Sequence, residues 1–278
     1  MLGRSRVRVW LLCGAAAAAT FAAVAPMAMA HDFWVNATRY IIERPGETDH
    51  DEGLSSAYVG KGHLYPVDQV LQPEDLTRWT LRRPGGAEEA LTSSGPGVLL
   101  SPLPIEEPGP YVVRGTLADS MLTGYVEGGE EKYVEGPKAG RENVFYSAYY
   151  RMTGKALIAA GPTAEDAFAE PLGDDLELAF PENPYGKQGG EGQTLPVKVL
   201  FRGEPAAGCA VFASHWGHTP RDAFAQTLLT DAEGVARVKL THKGVWIVAA
   251  VHGVPAGPER RDQVDDEEYA ASATFEIR

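Results

Sequence analysis

No stretch of this chain keeps a helical hydrophobic period over several turns, and that limits its fold more than any other feature. Apolar runs are short, and 31 glycines and 20 prolines interrupt them. Short apolar runs bounded by turn formers read as strands. In the first half the candidates are 33–42, 55–59, 77–82, 97–100, 111–117 and 121–126, separated by turns such as Arg83-Pro84-Gly85-Gly86 and Pro108-Gly109-Pro110. Segment 143–160 departs from the pattern. Val144, Ala148, Met152 and Ala156 form an i, i+4 row that suits a helix, although Gly154 interrupts it and 156–160 equally suits a strand.

A polar, proline-bearing stretch at 161–175 reads as a linker. Beyond it, strands are expected at 176–180, 194–201, 210–214, 225–230, 235–240, 244–251 and 270–277. Val197, Val199 and Phe201 alternate with Lys198 and Leu200, the period of a half-buried strand. Gly234 closes a hairpin turn that begins at Thr230. So many strands in so short a segment fit an immunoglobulin-like sandwich. The expectation is an all-β protein of two β-sandwich domains, 31–172 and an immunoglobulin-like 173–278, with at most one short helix in the first.

Residues 1–30 have the three parts of a secretory signal. Arg4, Arg6 and Arg8 are basic, 9–25 is apolar and rich in alanine, and Ala28-Met29-Ala30 is a small-x-small cleavage site. The apolar run ends at Pro26, short of the ~20 residues a spanning helix needs. Leu12 before Cys13 is too large for a lipoprotein processing site. The mature chain is therefore expected to be periplasmic, to begin at His31 and to stay out of the membrane. Loss of three arginines takes the formal charge from −13 to −16. Such a chain has no basic face for nucleic acid. Only Cys209 survives cleavage, so no internal disulfide is possible, and its apolar neighbours mark it as a buried small hydrophobe.

All seven histidines lie in the mature chain. His31 stands out because cleavage would leave its α-amine free. Amine and imidazole of one residue can close a chelate ring on one metal, and an amine with a pKa of ~7.7–8.0 releases its proton near neutral pH. Nitrogen ligands suit nickel, cobalt, copper and zinc. Asp32 follows directly and can add an oxygen ligand. His63 lies in a glycine- and proline-flanked loop, and His252 is expected to end a strand and open a turn. Asp265, Asp266, Glu267 and Glu268 follow closely in a charged run that otherwise reads as a solvated loop; Glu268 is the acidic ligand candidate. His215 and His218 have an H-x-x-H spacing in a loop, a candidate second site, while His50 and His242 read as surface residues. No Ser-His-Asp motif, phosphate loop, dinucleotide fingerprint or H-E-x-x-H is present. No catalytic residue or organic cofactor is expected.

The chain resembles the DUF4198 family, described as periplasmic components of cobalt or nickel transport systems. The resemblance rests on His31-Asp-Phe-Trp-Val35, on Gly62-His63-Leu-Tyr-Pro66 and on Ser147-Ala-Tyr-Tyr-Arg-Met-Thr-Gly-Lys-Ala-Leu157. It continues through 195–201, 203–208, 230–234, Trp246-Ile-Val-Ala-Ala-Val-His-Gly-Val-Pro255 and 271–277. Tyr65 stands where a phenylalanine is common, and extra arginine and glycine follow His252. The resemblance implies that His31, His63 and His252 share one site between the two domains. It implies a nickel or cobalt ion as ligand and an uptake transporter as partner. Two other readings remain open on the residues: a copper histidine brace, in a carrier or a polysaccharide oxygenase, and a β protein for adhesion or carbohydrate binding with incidental histidines.

Overall fold

The computed structural model describes residues 32–46, 55–62, 69–93, 95–190, 192–218 and 224–278. The expectations for the signal segment, His31, His50 and His63 lie outside these residues. The fold is all-β, with only single 3-10 turns at Pro73–Asp75 and Pro184–Gly186 among the described residues. In the first half the strands are β1 (Asp32–Ala37), β2 (Ile41–Ile42), β3 (Ser55–Gly62), β4 (Leu76–Arg82), β5 (Glu88–Ala90), β6 (Ser101–Leu103), β7 (Gly109–Leu117), β8 (Ser120–Glu127), β9 (Glu130–Glu135) and β10 (Val144–Ala160). In the second they are β11 (Leu176–Ala179), β12 (Thr194–Phe201), β13 (Glu204–Pro205), β14 (Ala210–His215), β15 (Gln226–Leu229), β16 (Val235–Lys239), β17 (Gly244–Pro255) and β18 (Asp266–Ile277).

One long sheet runs through the molecule in the order β15-β14-β17-β18-β10-β7-β4-β5, with β2, β8 and β9 attached beside β10. A second sheet, β11-β12-β13 with β16, covers one face of its C-terminal end. A third, β1-β3-β6, covers the opposite face of its N-terminal end. Each layer pair encloses its own core. Trp246, Val248, Phe275, Val197 and Phe180 fill the first, and Phe33, Val35, Trp79, Tyr111 and Ile158 fill the second. β11, β12, β13 and β16 thus face β14, β15, β17 and β18, the two-sheet split that the immunoglobulin-like expectation requires.

Segment 143–160 is not helical. It is the 17-residue strand β10, which pairs antiparallel with β7 and β8 and parallel with β18. Its even-numbered residues face β1 and its odd-numbered ones face the second half, so both faces are covered. The stretch 161–175 is not a slack linker either. Phe168 is buried, bridges to Phe180 and packs with Tyr185. Asp174 takes Arg78 and Arg114 from the first half, and Arg151 joins Asp119 to Asp175. These contacts and the β10–β18 ladder tie both sides of the expected 172/173 boundary together.

Candidate functional site

Of the candidates among the described residues, Asp32 opens β1. β1 can lie directly on the long sheet because Gly154 of β10 carries no side chain. A Cβ there would come 3.1 Å from the Val35 nitrogen and 3.1 Å from Ser272 Oγ. Two β18 hydroxyls satisfy the β1 carbonyls that face the sheet: Ser272 Oγ donates to Phe33 O at 2.8 Å and Thr274 Oγ1 to Val35 O at 2.5 Å. β1 therefore runs in the direction of β18, and its N-terminal end points towards Ala270 and Glu268. Its other neighbour is β3, with Asp32 directly opposite Gly62.

Glu268 stands opposite Tyr150 across the parallel β10–β18 ladder. It is buried at 8% exposure, and Tyr146 donates its hydroxyl to Oε1 at 2.9 Å. The Tyr146 and Tyr150 hydroxyls touch. Among the described residues no cation pairs with Glu268. Burial pushes its carboxyl up, the Tyr146 hydrogen bond opposes this, and nearby Asp266 adds to it. Burial also raises both phenols, Tyr150 to about 12. The cluster is thus a buried carboxyl with two phenols against it. Tyr150 and Met152 border a cavity of about 390 Å3 that Lys61 and Gln69 line from the end of β3. Sequence reasoning missed Tyr146 and Tyr150. Their spacing of four places them on one face of a strand, but only after β10 is known to be one.

His252 is not at a strand end. It lies within β17, opposite Tyr269, half-buried with its ring 4.6 Å from Phe201. Burial lowers its proton affinity. Because strand side chains alternate, His252 and Tyr269 face the first core while Glu268 faces β1. The structure therefore sets His252 and Glu268 on opposite faces of one sheet.

The acidic run is a solvated loop only in part: Asp262, Asp265 and Asp266 are exposed, but Glu267 and Glu268 are buried in β18. Glu267 is 2% exposed and accepts from Tyr269 Oη at 2.6 Å and Gly257 N at 3.1 Å, while Asp265 accepts from Ser147 Oγ at 2.5 Å. Cys209 is buried with its Sγ donating to Val251 O at 3.3 Å, and burial pushes its thiol up to about 11.

His215 meets both His218 and His242, with ring centroids 5.8 Å and 3.9 Å away. The His215 and His242 rings stack face to face at 20°. Imidazole lone pairs lie in the ring plane, so stacked rings do not aim at one ion. No three His, Cys, Asp or Glu side chains form a metal-holding group among the described residues. The cluster bears instead on stability. Burial lowers the His215 pKa first, and His242 and His218 lower it further, against a Trp216 carbonyl contact that raises it. A depressed folded-state pKa gives stability present above the unfolded pKa of ~6.5 and lost as pH falls through the folded value. The melting temperature is expected to drop between pH 7 and 5, and to drop less in His215→Gln. An equal drop in both proteins would remove His215 as a cause.

Two stacked sandwiches that share one long sheet, with tyrosines and a buried carboxyl where the first strand begins, define an all-β protein with a buried polar cluster between its layers. The chain belongs to the DUF4198 family, a domain of unknown function whose model matches residues 28–253. No curated protein matches it by sequence. Among solved structures it is similar to the D0-D1 domain of intimin, at 14% identity and a TM-score of 0.22, over 88% of this chain and 97% of that one. It is also similar to parts of two alpha-2-macroglobulins. A Salmonella mutant is 10% identical over 88% of this chain and 15% of its own, with a TM-score of 0.20. The native E. coli protein is 12% identical over 90% and 14%, also with a TM-score of 0.20. Among the described residues, no helix is long and apolar enough to cross a membrane.

Proposed function

We propose that the chain is a periplasmic binding protein for a divalent transition metal, nickel or cobalt, that serves a metal-uptake system. The observation that carries this reading is the pairing of Asp32 with Gly62 across β1 and β3. His31 is one peptide bond before the first, and His63 is one peptide bond after the second. A cross-strand pair is the shortest link the fold offers between two segments so far apart in sequence. The ligands of this reading are the His31 amine and imidazole, His63, and the carboxylates of Asp32 and Glu268. Glu268 supports it as a buried carboxyl that meets no cation among the described residues. His252 faces the other core and has no direct part. Cleavage after Ala30 supplies the amine and the periplasmic address. A second reading, copper, is favoured by Met152 beside the same cavity, because thioether sulfur suits Cu(I).

The test compares two forms of the purified protein, one beginning at His31 and one with a single extra residue ahead of it. Titration with Ni(II), Co(II), Cu(II) and Zn(II) should show the longer form weaker by about 100-fold, roughly 2.8 kcal/mol. Equal affinities would refute the amine ligand. Absence of binding tighter than about micromolar, near −8 kcal/mol, would refute the metal reading as a whole.

A further inference from the structure

The cavity beside this cluster has a charge pattern of its own. Its volume, about 390 Å3, lies in the range of small-molecule sites, ~300–1,000 Å3. Three charged groups line it: Lys61, Asp75 and Asp119. Asp119 is already neutralised by Arg151, with N–O distances of 2.7 and 3.0 Å. Lys61 forms no ion pair among the described residues. Asp75 accepts a hydrogen bond from Gln72 N at 2.7 Å through one oxygen and meets no cation among the described residues. Lys61 and Asp75 thus border the same space without pairing with each other. One unpaired cation and one unpaired carboxylate disfavour a dianion, which Asp75 repels, and a dication, which Lys61 repels. They fit a molecule that carries both charges. Leu71 and Met152 supply an apolar wall, and the Tyr150 side chain faces the cavity as well.

We propose that this cavity binds a small zwitterion, a free α-amino acid, with its carboxylate towards Lys61 and its ammonium towards Asp75. The proposal does not depend on the metal reading, because none of the groups invoked is one of the metal's ligands. An amino acid held there would lie next to the Glu268–tyrosine cluster, and its own amine and carboxylate are donor types that divalent transition metals accept.

The experiment uses the mature protein stripped of metal with a chelator and follows binding by calorimetry. The probes are the free amino acids, one at a time, followed by the N-acetyl and the amide derivatives of the tightest binder. The free amino acid should bind, and each derivative, lacking one charge, should bind at least about tenfold more weakly. Lys61→Met should abolish discrimination against the amide, and Asp75→Asn should abolish discrimination against the N-acetyl form. Binding of either derivative as tightly as the free amino acid would overturn the proposal. So would the absence of heat with every amino acid at millimolar concentration, or unchanged affinity in a folded Lys61→Met protein. The derivatives are tested on the wild-type protein, so the proposal stands or falls even where a variant fails to fold. Repeating the titration with Ni(II) present reports separately on the metal site.

Discussion

Replacing Glu177 with alanine is expected to destabilise the protein by about 3–5 kcal/mol, the usual cost of removing one partner from a buried ion pair. The Glu177 side chain is 3% exposed and that of Lys155, 9%. Glu177 accepts from Leu172 N at 2.7 Å, Gly173 N at 2.9 Å and Asp174 N at 3.4 Å, and from Lys155 Nζ at 3.4 Å. Alanine would strip three consecutive backbone donors of their acceptor and leave a buried ammonium without its counter-charge. Burial already lowers the proton affinity of Lys155, with Glu177 the main opposing influence. Lys155→Met should cost less, because Glu177 would keep its backbone donors. Urea denaturation of both variants checks the order. An alanine variant no less stable than the methionine one would show that the carboxylate does not hold residues 172–174 in place.

The second large effect is expected at Trp34, at about 3–5 kcal/mol for Trp34→Ala. The indole is fully buried between β1 and the long sheet, against Ile247. Gly60 on β3 makes room for it: a Cβ there would lie 2.3 Å from Trp34 Cε2 and 2.5 Å from Cζ2. Gly60→Ala therefore approaches the same contact by overfilling, at about 1–3 kcal/mol. A ring enclosed on all sides cannot swing away, so β3 must move from β1. The ladder that ends in the Asp32–Gly62 pair would be disturbed. Metal affinity is expected to fall together with stability in Gly60→Ala. A stable Gly60→Ala protein with intact affinity would show that the two strands tolerate separation.

Strand positions in the second half are legible because apolar runs there are bounded by turn formers, and strand side chains alternate between faces. The same rule fixes the side on which His252 falls, since Trp246, Val248 and Ala250 precede it at even spacing. Segment 143–160 misled for a geometric reason. Positions 144, 148, 152 and 156 share a helix face, but a step of four is also a multiple of two, so they share a strand face as well. Tyr146, Tyr150 and Ile158 on that face decide for the strand. The start of β18 was hidden by its charges. Asp266, Glu267 and Glu268 read as solvent-facing, and only the partners of the two glutamates, Tyr146, Tyr269 and Arg260, make their burial possible. The strands 88–90 and 130–135 escaped notice because they are short or polar edge segments whose pattern resembles loops. Pairing across the two halves has no local signature at all.

That pairing has a consequence for how the chain must be completed. β10 is made long before β18, and the two pair at positions 118 residues apart, such as Ala148 and Asp266. While β18 is missing, β10 and β17 each present a bare strand edge, the kind that invites misplaced partners. The last twelve-residue strand fills the middle of the sheet rather than its rim. Neither half can therefore close early. Ordering of both cores waits for β18, and removing that strand would leave two adhesive edges inside the long sheet.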